Sequence, residues 1–442
     1  MTLSTRIVDS VANDWDEAAA ARATTTLEQV VFASHLLGGN RALANFGGGN
    51  TSAKGTTSDH ISREISAIWV KGSGSDLATM SATDFTPLRL DEVLALFERD
   101  EMTDEAMVAH LARCQIDPAA PRSSIETLLH AFVPAAHVHH THPDAINVLA
   151  CSRDGKNLIA ECFGDSAAWI EYIRPGFTLA KQVGTAVRED PSLELVVLAK
   201  HGLVVWGETA REAYEQTVAV CNRAADFANA RAATTVRFGG RSDGHRLDRE
   251  AREEIVHAIL PTLRGAVCSE RSKLLLPDLS STVREFVDSE AAASLTKVGA
   301  ACPDHLVHTK RLPMWIPYDP GTDDLEALRT RLAPATEAYR SAYRGYFTEH
   351  ASAQDVMADP DPRVVLIQNV GLVAVAPTLK SARISRDLYH RAIEVMAGAS
   401  AVSEFVSLSA AESFAIEYWP LELYKLSLAP PPGELQGRVA VV

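Results

Sequence analysis

The sequence is short of basic charge. Against 57 Asp and Glu residues it carries 42 Lys and Arg, a net charge of −15 at pH 7. That balance argues against a general nucleic-acid or anionic-membrane surface, although it leaves room for a local pocket that takes a small anion. No apolar run reaches the roughly 20 residues that a membrane-spanning helix needs. The first residues, MTLSTRIVDSVANDWDEAAA, hold no long apolar stretch of the secretory type. Six cysteines, Cys114, Cys151, Cys162, Cys221, Cys268 and Cys302, are scattered without a CxxC pair. In a chain of this length they read as reduced core residues, and the expected location is cytoplasmic.

What is present fits a globular protein. The 442 residues are 46% hydrophobic and 22% charged, which excludes wholesale disorder and is too much chain for one ordinary core. Apolar residues recur at helical spacing over 26–38, and Gly38-Gly39-Asn40 then stops the pattern. A glycine-rich turn follows at Asn45–Ser52. Ser66–Lys71 reads as a buried strand entering a second small-residue turn, Gly72-Ser73-Gly74-Ser75-Asp76. A helix at about 124–133, a strand at 137–142, a helix opening at Pro143-Asp144, a strand at 194–200 and a helix from about Thr209 to Arg231 continue the alternation. The class is therefore α/β or α+β. Polar, glycine-rich Phe238–Gly244 reads as a linker. It divides a domain over 1–237 from a second α/β domain over 246–428, with helices expected at 249–262 and 324–350.

The second domain carries a partial repeat of the first. VVLAKHGLVVWGETAREA from Val196 and VVLIQNVGLVAVAPTLKSA from Val364 both read as strand, turn, Gly-Leu-Val strand, Thr and helix. The second copy has Asn369-Val370 where the first has His201, so the scaffold does not itself demand a histidine there. After Pro430-Pro431-Pro432, residues 433–442 (GELQGRVAVV) read either as a tail or as the first strand of a further dinucleotide-binding domain.

Among the 15 histidines, His137-Val-His139-His140-Thr141-His142 stands out. Alternate residues of a strand share a face, so His140 and His142 point one way and His137 and His139 the other. Two imidazoles about 6–7 Å apart along a strand can close on one metal ion, at about 2.0–2.1 Å each for zinc. His201, ending a buried strand and followed by Gly202, is the candidate third ligand. The plain alternative is a cluster of surface or core histidines. Glu126, in Arg122-Ser123-Ser124-Ile125-Glu126, stands at a helix start. There it is either a first-turn glutamate favoured by the helix dipole behind capping serines, or a general acid/base facing the metal with a pKa raised by partial burial. The turns around Gly49, Asn50, Thr51, Ser73 and Gly74, with Ser123 and Ser124, offer N–H groups and hydroxyls suited to phosphate or carboxylate. Neither turn is GxxxxGK[ST], so neither is a nucleotide P-loop. Lys71 could add a charge. Asp304, His305, His308 and Lys310 form a polar knot that reads as structural or as a second site. Trp169, Tyr172, Arg174 and Pro175 read as pocket lining or as core.

GGGNTSAK, KGSGSDL, SSIE, HTHPDA and KHG, in this order, resemble the class II aldolase/adducin family. WVKGSGSDLAT, LRLDEVLALFERDEM, YIRPGF, CPDHLVHTK and EYWPLELYKLSLAPP are most similar to the aldolase portion of bifunctional rhamnulose-1-phosphate aldolase/short-chain alcohol dehydrogenase proteins. The resemblance implies a central β-sheet flanked by helices, with Zn2+ or another divalent metal on His140, His142 and His201 and Glu126 as acid/base. It implies phosphate contacts from the Asn50 turn, the Ser73-Gly74 turn and Ser123-Ser124. The expected reaction is cleavage of a ketose 1-phosphate, L-rhamnulose 1-phosphate first, to dihydroxyacetone phosphate and lactaldehyde. A sugar-phosphate 4-epimerase, a dehydratase or a non-catalytic adducin-like interaction protein are the alternatives. The resemblance also implies a small sugar-phosphate ligand, a homo-oligomer, suspected to be a tetramer, and an NAD-dependent dehydrogenase domain fused after residues 429–442. Two departures stand out: Ile125 separates the serines from the glutamate, and the family's tyrosine proton donor has no match here.

Overall fold

A computed structural model describes residues 6–242, 247–268, 270–428 and 431–439. The chain divides into two compact units, Met1–Ala233 and Thr234–Val442.

The first unit is built on a mixed seven-stranded sheet. Its strands are β1 (Asn50–Ser58), β2 (Glu64–Lys71), β3 (Phe85–Arg89), β4 (His137–Thr141), β5 (Ala167–Ile170), β6 (Leu195–Leu198) and β7 (Gly202–Gly207), in the order β3-β2-β1-β4-β7-β6-β5. Every neighbouring pair is antiparallel except β5 and β6. The mixed α/β class expected from the alternation is what forms. β4 lies at the centre and is buried along its whole length. Helix Thr26–Gly39 starts from a capping box, Thr25 with Glu28, and helix Ala210–Arg231 from another, Thr209 with Glu212.

Two elements differ from the sequence reading. Asn50–Ser58 is a strand that begins inside the expected glycine-rich turn. Its opening residues are polar and yet buried, so no apolar alternation announced it. The helix expected over 124–133 is confined to Thr127–Phe132, with Glu126 as the residue that caps it. Ser123 forms an isolated bridge with Gly72 and Ser124 leads into the turn before the helix, so neither serine is the helix cap.

The second unit holds a four-stranded sheet of β8 (Leu274–Asp278), β9 (Met314–Ile316), β10 (Val364–Ile367) and β11 (Gly371–Ala376), ordered β8-β11-β10-β9. Helices Arg249–Val267 and Leu325–His350 pack with it around Val256, Ile259, Leu328, Leu332, Val365 and Val373. The expected strand at 433–442 is described as far as Val439, where residues 434–437 form a turn; residues 440–442 lie outside the described residues.

The internal repeat is structural as well as sequential. β6-β7 and β10-β11 are antiparallel hairpins, each preceded by a parallel partner, β5 or β9. Each hairpin turns on a non-glycine residue in the left-handed region, Lys200 (φ 55°) or Asn369 (φ 59°). The outer antiparallel partners correspond too: Thr141 faces Leu203 as Asp278 faces Leu372. In this register His140, His142 and His201 match Pro277, Leu279 and Val370.

Candidate metal centre

The sheet itself brings the three histidines together. His140 and His142 leave β4 on one face, while His139 turns to the other, where its Nδ1 meets Thr217 Oγ1 at 3.4 Å. His201 arrives on the β6-β7 turn, beside β4 because β7 pairs with it. Gly202 makes this closeness sterically feasible: a Cβ there would sit 2.4 Å from Thr141 O and 2.6 Å from His142 Cδ2. Gly49 does the same on the other side of β4, where a Cβ would lie 2.7 Å from His140 O, and it is held at φ 65°.

The three rings form a near-equilateral triangle with centroid separations of 4.8 Å (His140–His142), 4.9 Å (His140–His201) and 4.9 Å (His142–His201). All three are buried, and one nitrogen from each falls within 4.8 Å of the others. His140 Nδ1 lies 2.9 Å from Leu203 O. A carbonyl only accepts, so the proton sits on Nδ1 and the Nε2 lone pair is presented to the cluster. His142 Nε2 lies 3.0 Å from that atom, a little under the roughly 3.3 Å between two nitrogens that share a tetrahedral ion at about 2.0–2.1 Å. A set of three imidazoles suits zinc and other divalent first-row metals, and three protein ligands leave a coordination position open.

Glu126 stands against this triangle. Its Oε1 is 3.3 Å from His140 Nε2 and 3.8 Å from His201 Nε2. Its Oε2 accepts a hydrogen bond from Asn50 Nδ2 at 2.8 Å. Burial pushes the carboxyl up, but the His140, His201 and His142 imidazoles outweigh it and hold the pKa well below the usual carboxylate range. The raised value expected from burial alone is reversed by these imidazoles in their protonated forms, which carry the positive charge that a bound cation would otherwise supply.

The other segments predicted to take part are stitched together by β2 and the turn after it. Lys71 Nζ donates to Gly47 O (3.1 Å) and Gly49 O (2.9 Å), so its ammonium secures the glycine-rich turn from inside. Ser124 N donates to Lys71 O (3.1 Å) and Ser73 N to Arg122 O (2.8 Å). Gly49, Asn50, Ser73, Gly74, Ser123 and Ser124 therefore belong to one connected set. Asn50 spends its amide on Glu126 Oε2 and on Ser124 Oγ, the latter at 3.1 Å. Thr51 does not join them: its side chain is on the opposite sheet face, where Oγ1 bonds Ser34 Oγ at 2.7 Å. Trp169 lies on the edge strand β5, separated from β4 by β6 and β7, and Arg174 pairs with Asp104 at 2.7 Å. Asp304, His305, His308 and Lys310 lie in the second unit. There Lys310 turns inward over the Tyr343 ring at 3.5 Å and donates to Asp359 O at 2.6 Å.

His130 is a member of the site that the sequence reading does not pick out. It is fully buried, with Nδ1 2.8 Å from Ser52 Oγ and Nε2 bonded to Asn50 Oδ1. Burial, then the neighbouring His140, Lys54 and His139, hold its pKa well below the ordinary imidazole value. The signal available was its place four residues after Glu126, on the same helical face.

The profile of the Class II Aldolase and Adducin N-terminal domain matches residues 28–226, and that of the Aldolase class II second domain matches residues 254–426. The chain belongs to the class II aldolase/adducin family. It is 45% identical over 428 residues to a Bacillus subtilis (strain 168) protein named Uncharacterized oxidoreductase YuxG, a match that covers 97% of this chain. The chain spans 62% of the length of that relative. A solved N-terminal class II aldolase domain of a conserved protein from Thermoplasma acidophilum is 40% identical and is covered over 99% of its length and 49% of this chain, with a TM-score of 0.46. An L-fuculose-1-phosphate aldolase from Thermus thermophilus is 17% identical, with 92% of that chain and 45% of this one covered and a TM-score of 0.29.

Proposed function

We propose that this protein is a zinc-dependent class II aldolase that cleaves a ketose 1-phosphate, L-rhamnulose 1-phosphate first among them, to dihydroxyacetone phosphate and lactaldehyde. The observation that carries the reading is the placement of Glu126 Oε1, 3.3 Å from the Nε2 of His140 at the edge of a three-imidazole cluster. Such a cluster supplies a cation site, and the carboxylate beside it supplies a proton acceptor and donor. Family membership supports lyase chemistry of this type.

His140, His142 and His201 would hold the ion. When bound, a divalent metal supplies Lewis-acid stabilisation of the substrate oxygens that gain charge as the C3–C4 bond breaks. Cleavage moves one proton net, from the C4 hydroxyl to C3. Glu126 Oε1 handles the proton at C3. Its carboxylate form takes that proton in the condensation direction, and microscopic reversibility makes the same oxygen the donor in cleavage. The turns at Gly49-Asn50 and Ser73-Gly74, with Ser123 and Ser124, would receive the phosphate through hydroxyls and the remaining backbone N–H groups, since Ser73 N and Ser124 N already donate to Arg122 O and Lys71 O. No Schiff-base lysine enters the scheme.

Metal analysis of the purified protein, paired with cleavage assays on L-rhamnulose and L-fuculose 1-phosphates, tests the reading. One divalent ion per chain with release of dihydroxyacetone phosphate is the expected result. A metal-replete protein that releases none from either sugar would overturn it.

A further inference from the structure

Four buried side chains close a ring between β1 and the short helix Thr127–Phe132. Asn50 and Ser52 stand two residues apart on β1 and share a face. Glu126 and His130 stand four apart and share a face of the helix start. His130 bonds both strand residues, Ser52 through Nδ1 at 2.8 Å and Asn50 through Nε2. Asn50 in turn bonds Glu126 Oε2 at 2.8 Å. The strand side of this ring is rigid, because Asn50 is paired directly with His140 across β1 and β4.

The donor and acceptor roles are forced. The Asn50 amide nitrogen points at a carboxylate oxygen, so Oδ1 must be the atom that meets His130. Oδ1 only accepts, so His130 Nε2 must carry a proton, whatever the state of Nδ1. The third partner of the amide, Ser124 Oγ, donates or accepts equally well and does not select an orientation. Selection falls to Glu126 at one end and His130 at the other.

We propose that His130 is a positioning residue: its Nε2–H locks the orientation of the Asn50 amide, which clamps Glu126 Oε2 and thereby aims Oε1 at the His140–His142–His201 cluster. The assignment rests on Glu126 being the acid/base of the proposed reaction. It adds a residue that touches neither the ion nor the substrate.

The test compares the full-length, metal-loaded protein with His130→Gln, His130→Leu, Asn50→Leu and the His130→Leu/Asn50→Leu double variant. Glutamine keeps a donor within reach of Asn50, whereas leucine fills the space without one. All should bind one divalent ion per chain. His130→Leu should lower kcat by about 100-fold with KM within about threefold, the scale of loss that misplacement of a catalytic group by about 1 Å produces. His130→Gln should recover most of that loss, and adding His130→Leu to Asn50→Leu should cost nothing further. Equal activity of the Gln and Leu variants, or losses that multiply in the double variant, would overturn the assignment. Nitrogen-15 NMR of histidine-labelled wild-type protein, without substrate, gives a readout independent of turnover: His130 Nε2 should be protonated, and a bare Nε2 rules the clamp out. If no ketose 1-phosphate is cleaved, the proposed function fails, and the NMR result still decides the orientation of the amide.

Discussion

Glu126 Oε1 faces His140 Nε2 across 3.3 Å, while its other oxygen is tied to Asn50. The carboxylate thus borders the imidazole cluster without being needed to assemble it. Glu126→Gln is nearly isosteric and leaves the histidines in place. It should retain the divalent ion, measured by metal analysis, and lose about 10²- to 10⁴-fold in kcat, the usual worth of a general acid/base. Undiminished turnover in this variant would remove Glu126 from the mechanism.

His140→Ala takes away the nitrogen whose tautomer Leu203 O fixes. Metal content should fall from one ion per chain to a small fraction, and cleavage should fall with it. A chelator acting on the wild-type protein should reproduce the loss, and added Zn2+ should reverse it. Activity that survives complete demetallation contradicts the cation site.

Gly202→Ala tests the close approach that seats His201. The added Cβ meets Thr141 O at 2.4 Å and His142 Cδ2 at 2.6 Å, and the first of these is backbone that cannot swing aside. Overpacking of this kind costs about 1–3 kcal/mol, and metal affinity should weaken in the same variant. Gly345→Ala is the control: it lies within helix Leu325–His350, and nothing stands within 4 Å of the new Cβ. It should leave stability unchanged or raise it by about 0.5–1 kcal/mol. Chemical denaturation of both variants gives the comparison.

His137 and His139 are buried on the opposite sheet face. Burial and then the nearby Lys54 lower His137 to about 4, and burial and then His137 lower His139 to about 3. The unfolded chain protonates these rings near their ordinary value of about 6.5. Their neutral folded forms therefore contribute stability that is complete above that pH and is lost as the pH falls toward the folded values. By pH 5 the loss should be about 2 kcal/mol for each ring. His139→Leu should flatten the dependence of the urea midpoint between pH 7 and 5; an unchanged slope would show that His139 is not part of it.

Much of the site could be read from the order of residues. The alternation of a strand placed His140 and His142 on one face, and a His-Gly pair at a hairpin turn supplied His201. The repeat in the second unit was legible because Gly-Leu-Val and the following Thr recur. What escaped was polar and buried. β1 opens with Asn50, Thr51 and Ser52, whose side chains answer His130, Glu126, Ser124 and Ser34 rather than an apolar core. Such a strand has no hydrophobic period to betray it. His130 was missed for the same reason, since its partners come from a strand some 80 positions away in sequence. The direction of the Glu126 pKa is not legible in the sequence because the three imidazoles beside it come from two separate segments.

The second unit builds the same hairpin and outer strand with Pro277, Leu279 and Val370 at the places of the three imidazoles. Its tight approach is preserved down to the glycine: a Cβ on Gly371 would strike Leu279 and Asp278 O, just as one on Gly202 would strike His142 and Thr141 O. The imidazole cluster is therefore a passenger on this scaffold, not its keystone. Demetallated protein should keep its native circular dichroism, unlike small domains that collapse without their ion.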